Sequence, residues 1–142
     1  MNKIILKPGK DRSVFRYHPW IFSGAIAKTE GKLQEGDLVR VYSSDNQYLA
    51  TGHYQIGSIA VRILTFEDEE IGYSFWLQRI TAAYHMRRAI GLTDRADNDT
   101  FRLIHGEGDN LPGLVVDYYA GVAVVQFNSV GMYLEWYNVT RA

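Results

Sequence analysis

Between Lys10 and Gly24 the chain interleaves cations with rings. Lys10, Arg12 and Arg16 are followed by, or alternate with, Tyr17, His18, Trp20 and Phe22. Ammonium and guanidinium groups neutralise phosphates, while aromatic faces accept unstacked bases at about 1–3 kcal/mol per base. The chemistry this pattern offers is contact with nucleic acid. A competing reading puts Trp20 and Phe22 in a hydrophobic core, because tryptophan is usually well buried. That reading leaves the arginines unexplained, unless basic residues this close to a terminus are simply solvated. The first twenty residues hold Lys3, Lys7, Lys10, Arg12 and Arg16 against Asp11 alone, in a chain whose formal net charge is −1. The acidic run Glu67-Asp68-Glu69-Glu70 offsets that charge much later. For phosphate contact the local patch matters more than the global sum.

Other chemistries are poorly served. Gly106-Glu107-Gly108 is spaced like the start of a dinucleotide loop, but Pro112-Gly113 and a β run follow it. A phosphate-binding loop needs a helix there, so that the helix N-terminus meets the anion. Glu107, Asp109 and Asp117 could form a carboxylate pair or metal site, although turn acids more commonly bond their own backbone. His18, His53, His85 and His105 show no i,i+4 pairing and suggest packing or surface roles. There is no cysteine, which removes disulfides, thiolate metal sites and thiolate nucleophiles from these residues. No residue is read as catalytic, cofactor-binding or metal-binding.

The elements that must position the basic and aromatic residues follow from the pattern of apolar runs and turns. With 142 residues, 46% of them hydrophobic and 22% charged, the chain has the balance of a folded protein. No apolar run nears the roughly 20 residues of a membrane span, and the N-terminal run is too short for a signal peptide. A cytoplasmic protein without membrane contact is expected. Short strands are expected at Ile4-Ile5-Leu6, Trp20-Ile21-Phe22, Leu38–Tyr42, Tyr48–Tyr54 and Ile59–Phe66. One or two helical turns fall between Asp11 and Tyr17, ending before Pro19. Such closely spaced strands suggest a small barrel. A charged linker at 67–73 precedes a helix from about Ser74 to Ile90, with an apolar stripe of Leu77, Ile80, Tyr84 and Ile90 and a C-cap at Gly91. Arg79, Arg87 and Arg88 lie off that stripe. Residues 114–118 and 122–127 flank Tyr119-Ala120-Gly121 as the clearest hairpin. Met132 to Tyr137 begins a helical pattern that stops without a cap or a finished apolar face, so a truncated protein is expected.

Several of these segments together resemble a known family. His18-Pro19-Trp20-Ile21-Phe22-Ser23-Gly24-Ala25-Ile26 is similar to a stretch near the start of PUA-containing methyltransferases of large-subunit ribosomal RNA. Those proteins resemble S-adenosylmethionine-dependent cytosine-C5 methyltransferases. Gly36-Asp37 before Val39-Arg40-Val41, then Ala50-Thr51-Gly52-His53-Tyr54, resembles the family's central hairpin. Arg102-Leu103-Ile104-His105-Gly106-Glu107, followed by Asp109, Leu111-Pro112-Gly113-Leu114, Val116-Asp117 and Tyr119, resembles the opening of its middle domain. The resemblance covers nearly the whole chain.

It implies an α+β protein: a small PUA-like mixed β-barrel over residues 1–70, a linker and connecting amphipathic helix over 71–100, and a truncated, hairpin-containing start of the middle domain over 101–142. It implies RNA, ribosomal above all, as partner. The matching positions are Lys10, Arg12, Arg16, Trp20 and Gly24, with Arg62 and the helix residues Arg87 and Arg88 as weaker candidates. Tyr17 departs from the family, which commonly has a basic pair before the His-Pro-Trp stretch. S-adenosylmethionine is implied for the parent protein, whose donor site and catalytic cysteines lie in a C-terminal domain that these residues lack. Methylation at cytosine C5 needs a nucleophile to add at C6, usually a thiolate, and none is present. The other readings are a stand-alone RNA-binding adaptor and a protein-interaction module. A homodimer through the 122–127 edge is expected if the middle domain is cut.

Overall fold

The computed structural model describes residues 1–142 and divides into two compact units, Met1–Glu69 and Glu70–Ala142. The chain has the α+β class read from the sequence.

The first unit contains β1 (Asn2–Leu6), α1 (Arg12–Phe15), β2 (Trp20–Phe22), β3 (Ile26–Glu30), β4 (Leu38–Tyr42), β5 (Tyr48–Tyr54) and β6 (Ile59–Thr65). The strands form one sheet in the order β2-β6-β5-β4-β1-β3. The β1–β4 pair is parallel and every other pair antiparallel. The two edge strands, β2 and β3, are neighbours in the chain, joined by a 3-10 turn at Ser23–Ala25. Laid flat, six strands would hold their edges about 24 Å apart. The four steps from Phe22 to Ile26 reach roughly 14 Å at most. The sheet must therefore curl until its edges approach, which makes the barrel. The turn stitches the seam: Ser23 N–H donates to the Ser58 carbonyl at 2.8 Å, and Lys7 N–H donates to the Ala25 carbonyl at 2.8 Å.

Inside the curl Ile4, Leu6, Ile21, Val39, Val41, Leu49, Ala50, Val61 and Ile63 form one core, and Val14 of α1 joins it. Gly52 of β5 sits where the backbone of β6 comes closest. A Cβ there would lie 2.3 Å from the Arg62 carbonyl oxygen. Strand β3 was not expected. Beyond Ile26 its residues Ala27-Lys28-Thr29-Glu30 are all exposed, so this edge strand carries no apolar alternation to betray it.

The second unit holds α2 (Tyr73–Ala89), β7 (Thr100–His105), β8 (Leu114–Tyr119), β9 (Val122–Phe127), α3 (Val130–Leu134) and α4 (Trp136–Arg141). Its antiparallel sheet runs β7-β8-β9. Ala120 and Gly121 join β8 to β9 with φ values of 47° and 95°, the paired positive values that a tight hairpin of this twist requires. The helix α2 ends in a Schellman motif around Gly91 (φ 78°), with Gly91 N–H on the Arg88 carbonyl and Leu92 N–H on the Arg87 carbonyl.

The buried face of α2 differs from the expected stripe. Phe75, Trp76, Ala83 and Arg87 point inward, whereas Leu77, Tyr84 and Ile90 are exposed. Apolar residues surround this helix, so spacing alone does not select a face. The partners do: Trp76 Nε1–H donates to Glu135 Oε2 at 3.0 Å, and Arg87 finds a carboxylate inside. No helix is long and apolar enough to cross a membrane.

Candidate nucleic-acid interface

Helix α1 is a single turn held by Val14, which is 3% exposed in the barrel core. Phe15 N–H bonds the Asp11 carbonyl and Arg16 N–H the Arg12 carbonyl. Arg12 and Arg16, four residues apart, share one side of that turn. Both are exposed, as is Lys10, and none of the three forms an ion pair. The helix ends in its own Schellman motif. Tyr17, at φ 59°, donates its N–H to the Val14 carbonyl, and His18 donates to the Ser13 carbonyl, both at 2.9 Å. Ile63 N–H then bonds the Pro19 carbonyl at 2.8 Å and docks the start of β2 onto β6.

A groove of about 350 Å³ runs between the start of α1 and the seam turn, lined by Lys10, Ser13, Ile21, Phe22, Gly24 and Ala25. Two residues singled out from the sequence, Lys10 and Gly24, thus meet in one groove. Lys7 Nζ–H donates to the Gly24 carbonyl at 2.9 Å, which spends that ammonium on the seam. A Cβ on Gly24 would meet nothing within 4 Å, so nothing in the protein fills the space beside it.

Trp20 and Arg62 are direct cross-strand partners on β2 and β6. Their neighbours Ile21 and Val61 are 2% and 0% exposed, so alternation turns Trp20 and Arg62 to the outer face. The Arg62 guanidinium lies 5.6 Å from the Trp20 ring centroid and its Nε–H donates to Gln55 Oε1 at 2.9 Å. The His18 ring stands edge-on to Trp20, with centroids 6.0 Å apart. Phe22 is half exposed, not a core residue. Ile21 is the member of the triplet that enters the core. The sequence reading missed Phe15, which is 62% exposed, and Gln55. Exposure on a one-turn helix and a loop amide that reaches Arg62 from the β5–β6 connection have no signature in residue spacing.

Arg87 is corrected as an RNA candidate. It is buried, with its two terminal nitrogens on the two Asp109 carboxylate oxygens at 2.7 and 2.6 Å and Nε–H on the Arg102 carbonyl at 3.0 Å. Asp109 also accepts from His105 N–H at 2.6 Å. Asp117 pairs with Arg102 through two bonds of 2.8 and 3.1 Å, and that guanidinium lowers its carboxyl pKa. These acids are therefore tied to arginines. Arg88 remains exposed. Gly106–Asp109 is a 3-10 turn leading through Pro112-Gly113 to β8, so no helix N-terminus faces a nucleotide there. His53 is 2% exposed, and burial pushes its imidazole down to about 4.

Residues 4–66 match the model of a PUA-like domain. The chain is 38% identical over 131 residues to ribosomal RNA large subunit methyltransferase I of Erwinia tasmaniensis, covering 91% of this chain and 33% of that protein. It is 40% identical over 131 residues to the protein of the same description in Alteromonas mediterranea (91% and 32%) and 41% identical over 132 residues to that of Pseudoalteromonas atlantica (92% and 33%). The chain thus spans about a third of the length of the curated relatives it matches. The fold recurs in a solved structure of a candidate SAM-dependent methyltransferase from Streptococcus mutans, with TM-score 0.84, 13% identity, and coverage of 99% of this chain and 36% of that one.

Proposed function

We propose that these residues are the RNA-binding part of an S-adenosylmethionine-dependent methyltransferase acting on cytosine C5 of large-subunit ribosomal RNA in the cytoplasm. Lys10, Arg12 and Arg16 contact phosphates, the Trp20–Arg62 pair supports the RNA surface, and Gly24 lets the RNA backbone approach the seam. Arg88 is a weaker contact. The observation that carries this reading is the set of three unpaired cations, Arg12 and Arg16 on one helical turn and Lys10 just before it, beside an exposed groove on a barrel of PUA-like sequence.

The methyl donor belongs elsewhere in the parent protein. The chain spans about a third of the length of its curated relatives, which leaves room for a donor site outside these residues. These residues hold no thiol to add at C6. Their part is to bind and orient RNA. In the second unit, β9 is a sheet edge with Val122 and Val124 exposed, which favours a homodimer by edge pairing.

The test is anisotropy of a labelled ribosomal RNA hairpin titrated with the protein at two salt concentrations, with a DNA hairpin as control. RNA-preferring, salt-dependent binding is expected. Binding that is absent or indifferent to salt removes the assignment, and the same protein would then be read as a protein-interaction module.

A further inference from the structure

A second recess opens on the other flank of α1, about 190 Å³ in volume and lined by Val14, Phe15, Tyr17, Tyr48, Leu49, Phe66 and Glu67. It is separate from the Lys10–Gly24 groove. Its walls are mostly aromatic, and two of the rings face solvent: Phe15 is 62% and Tyr17 73% exposed. The Tyr17 ring meets the Phe66 ring edge-on at 5.1 Å, which fixes its tilt and leaves most of it uncovered. Below, the Tyr48 hydroxyl sits 2.9 Å from Thr51 Oγ1 and donates to the Glu67 carbonyl at 2.7 Å, so the floor is rigid.

Tyr17 is held there against its backbone preference. It occupies the left-handed position that closes α1, a site glycine fills without penalty and a bulky L-residue does not. Strain of this kind persists where the surroundings over-determine it, and it collects at binding sites. The ring gains one edge contact within the protein, so packing alone is a poor return for the conformation.

Charge divides the recess. The one-turn helix that supplies Val14 and Phe15 also carries Arg12 and Arg16, while Glu67 is the one acidic residue in the lining; Asp68 is paired with Arg40 and Glu69 accepts from the Thr65 hydroxyl. A phosphate is attracted to the helix side and repelled from the Glu67 side. A neutral planar group whose N–H donors turn toward Glu67 suits the space between.

We propose that this recess binds a single unstacked nucleobase, stacked on the Tyr17 ring with Phe15 alongside, while its phosphates remain on the Arg12–Arg16 side. The proposal rests on the RNA-binding reading and adds to it a base-level contact. Stacking of one base on one ring corresponds to about a fivefold to hundredfold change in affinity.

The experiment uses an RNA hairpin that binds the protein, with 2-aminopurine placed at each loop position in turn. Fluorescence and affinity are followed for wild type, Tyr17→Gly, Tyr17→Leu and Tyr17→Trp. Tyr17→Gly removes the ring and relieves the backbone, so the barrel stays folded, as checked by circular dichroism. At one loop position the fluorescence change on binding should be lost in the Gly and Leu variants and kept in the Trp variant, with affinity falling at least about fivefold. The salt slope should stay unchanged, because no phosphate contact is lost. Salt-dependent RNA binding in which neither affinity nor any position's fluorescence depends on Tyr17 would overturn this proposal and leave the RNA-binding reading standing. Failure of wild type to bind RNA would overturn both.

Discussion

Arg62 lies over Trp20, 5.6 Å from its ring centroid, because β2 and β6 place the two residues directly opposite each other on the outer face of the barrel. The Gln55 amide holds the guanidinium by Nε, so its orientation is set before any ligand arrives. Replacing Arg62 with lysine keeps the charge but loses the planar stack and the Nε–H bond. The salt slope of RNA binding should then persist while affinity falls. Arg16→Ala, by contrast, should reduce the slope by about one unit and weaken binding to every RNA alike. Titrations of both variants at several salt concentrations separate the two roles. A lysine variant indistinguishable from wild type would remove Arg62 from the interface.

Gly24 allows a sharper separation of folding from binding. A Cβ there touches nothing within the protein. Gly24→Val should therefore leave the thermal midpoint within a few degrees of wild type. If RNA backbone occupies the space, the added methyl groups clash with it at about 1–3 kcal/mol, and affinity falls about fivefold or more. A variant that binds normally would show that RNA does not approach the seam.

The buried imidazole of His53 makes the barrel sensitive to acid. Its folded pKa, about 4, lies below the ordinary value of 6.5 because burial disfavours the charged form. Between pH 6.5 and 4 the unfolded chain binds the proton and the folded chain does not. Stability therefore falls as pH drops through that window and is regained above it. The full effect is up to about 3 kcal/mol. Urea unfolding of the wild type and of His53→Leu at pH 7 and pH 5 should show a steeper loss in the wild type. Equal losses would mean that His53 does not govern the acid response.

Asp109 and Arg87 should behave as a structural pair. Their side chains are 3% and 11% exposed and joined by two short bonds. Asp109→Ala leaves a buried guanidinium without its partner and should cost the second unit about 3–5 kcal/mol. Hydrogen exchange of α2 and β7 amides would report this locally. Neither Asp109→Ala nor Arg87→Met should alter the salt slope of RNA binding.

The β9 edge predicts self-association. Val122 and Val124 are 60% and 43% exposed on a strand with one side unpaired. Light scattering at rising concentration should show a dimer, and Val124→Lys should abolish it, since a charge on an edge strand opposes pairing. A wild type that stays monomeric throughout contradicts the edge-pairing model.

Much of the fold was legible because its signals are local. Turn residues and apolar runs located β2, β4, β5 and the β8–β9 hairpin to within a residue, and Gly91 marked the end of α2. Strand β3 escaped because Lys28, Thr29 and Glu30 all face solvent on an edge. The inward face of α2 escaped because a charged residue, Arg87, belongs to it. That choice depends on a carboxylate 22 residues away, which helical spacing cannot register.

The sequence by itself determined the chemistry available at the interface: a basic and aromatic stretch from Lys10 to Phe22, a glycine at 24, and no thiol anywhere. Those are properties of residue types and their order. Only the tertiary structure decided which groups are presented. Curling the sheet joins β2 to β3 at the seam, turns Trp20 and Arg62 outward together, and brings Lys10 to Gly24. The same packing spends Lys7 on a carbonyl and draws Arg87 inside. The physical reason is that burial and pairing are set by partners far apart in the chain, and a linear pattern carries no measure of which of them meet.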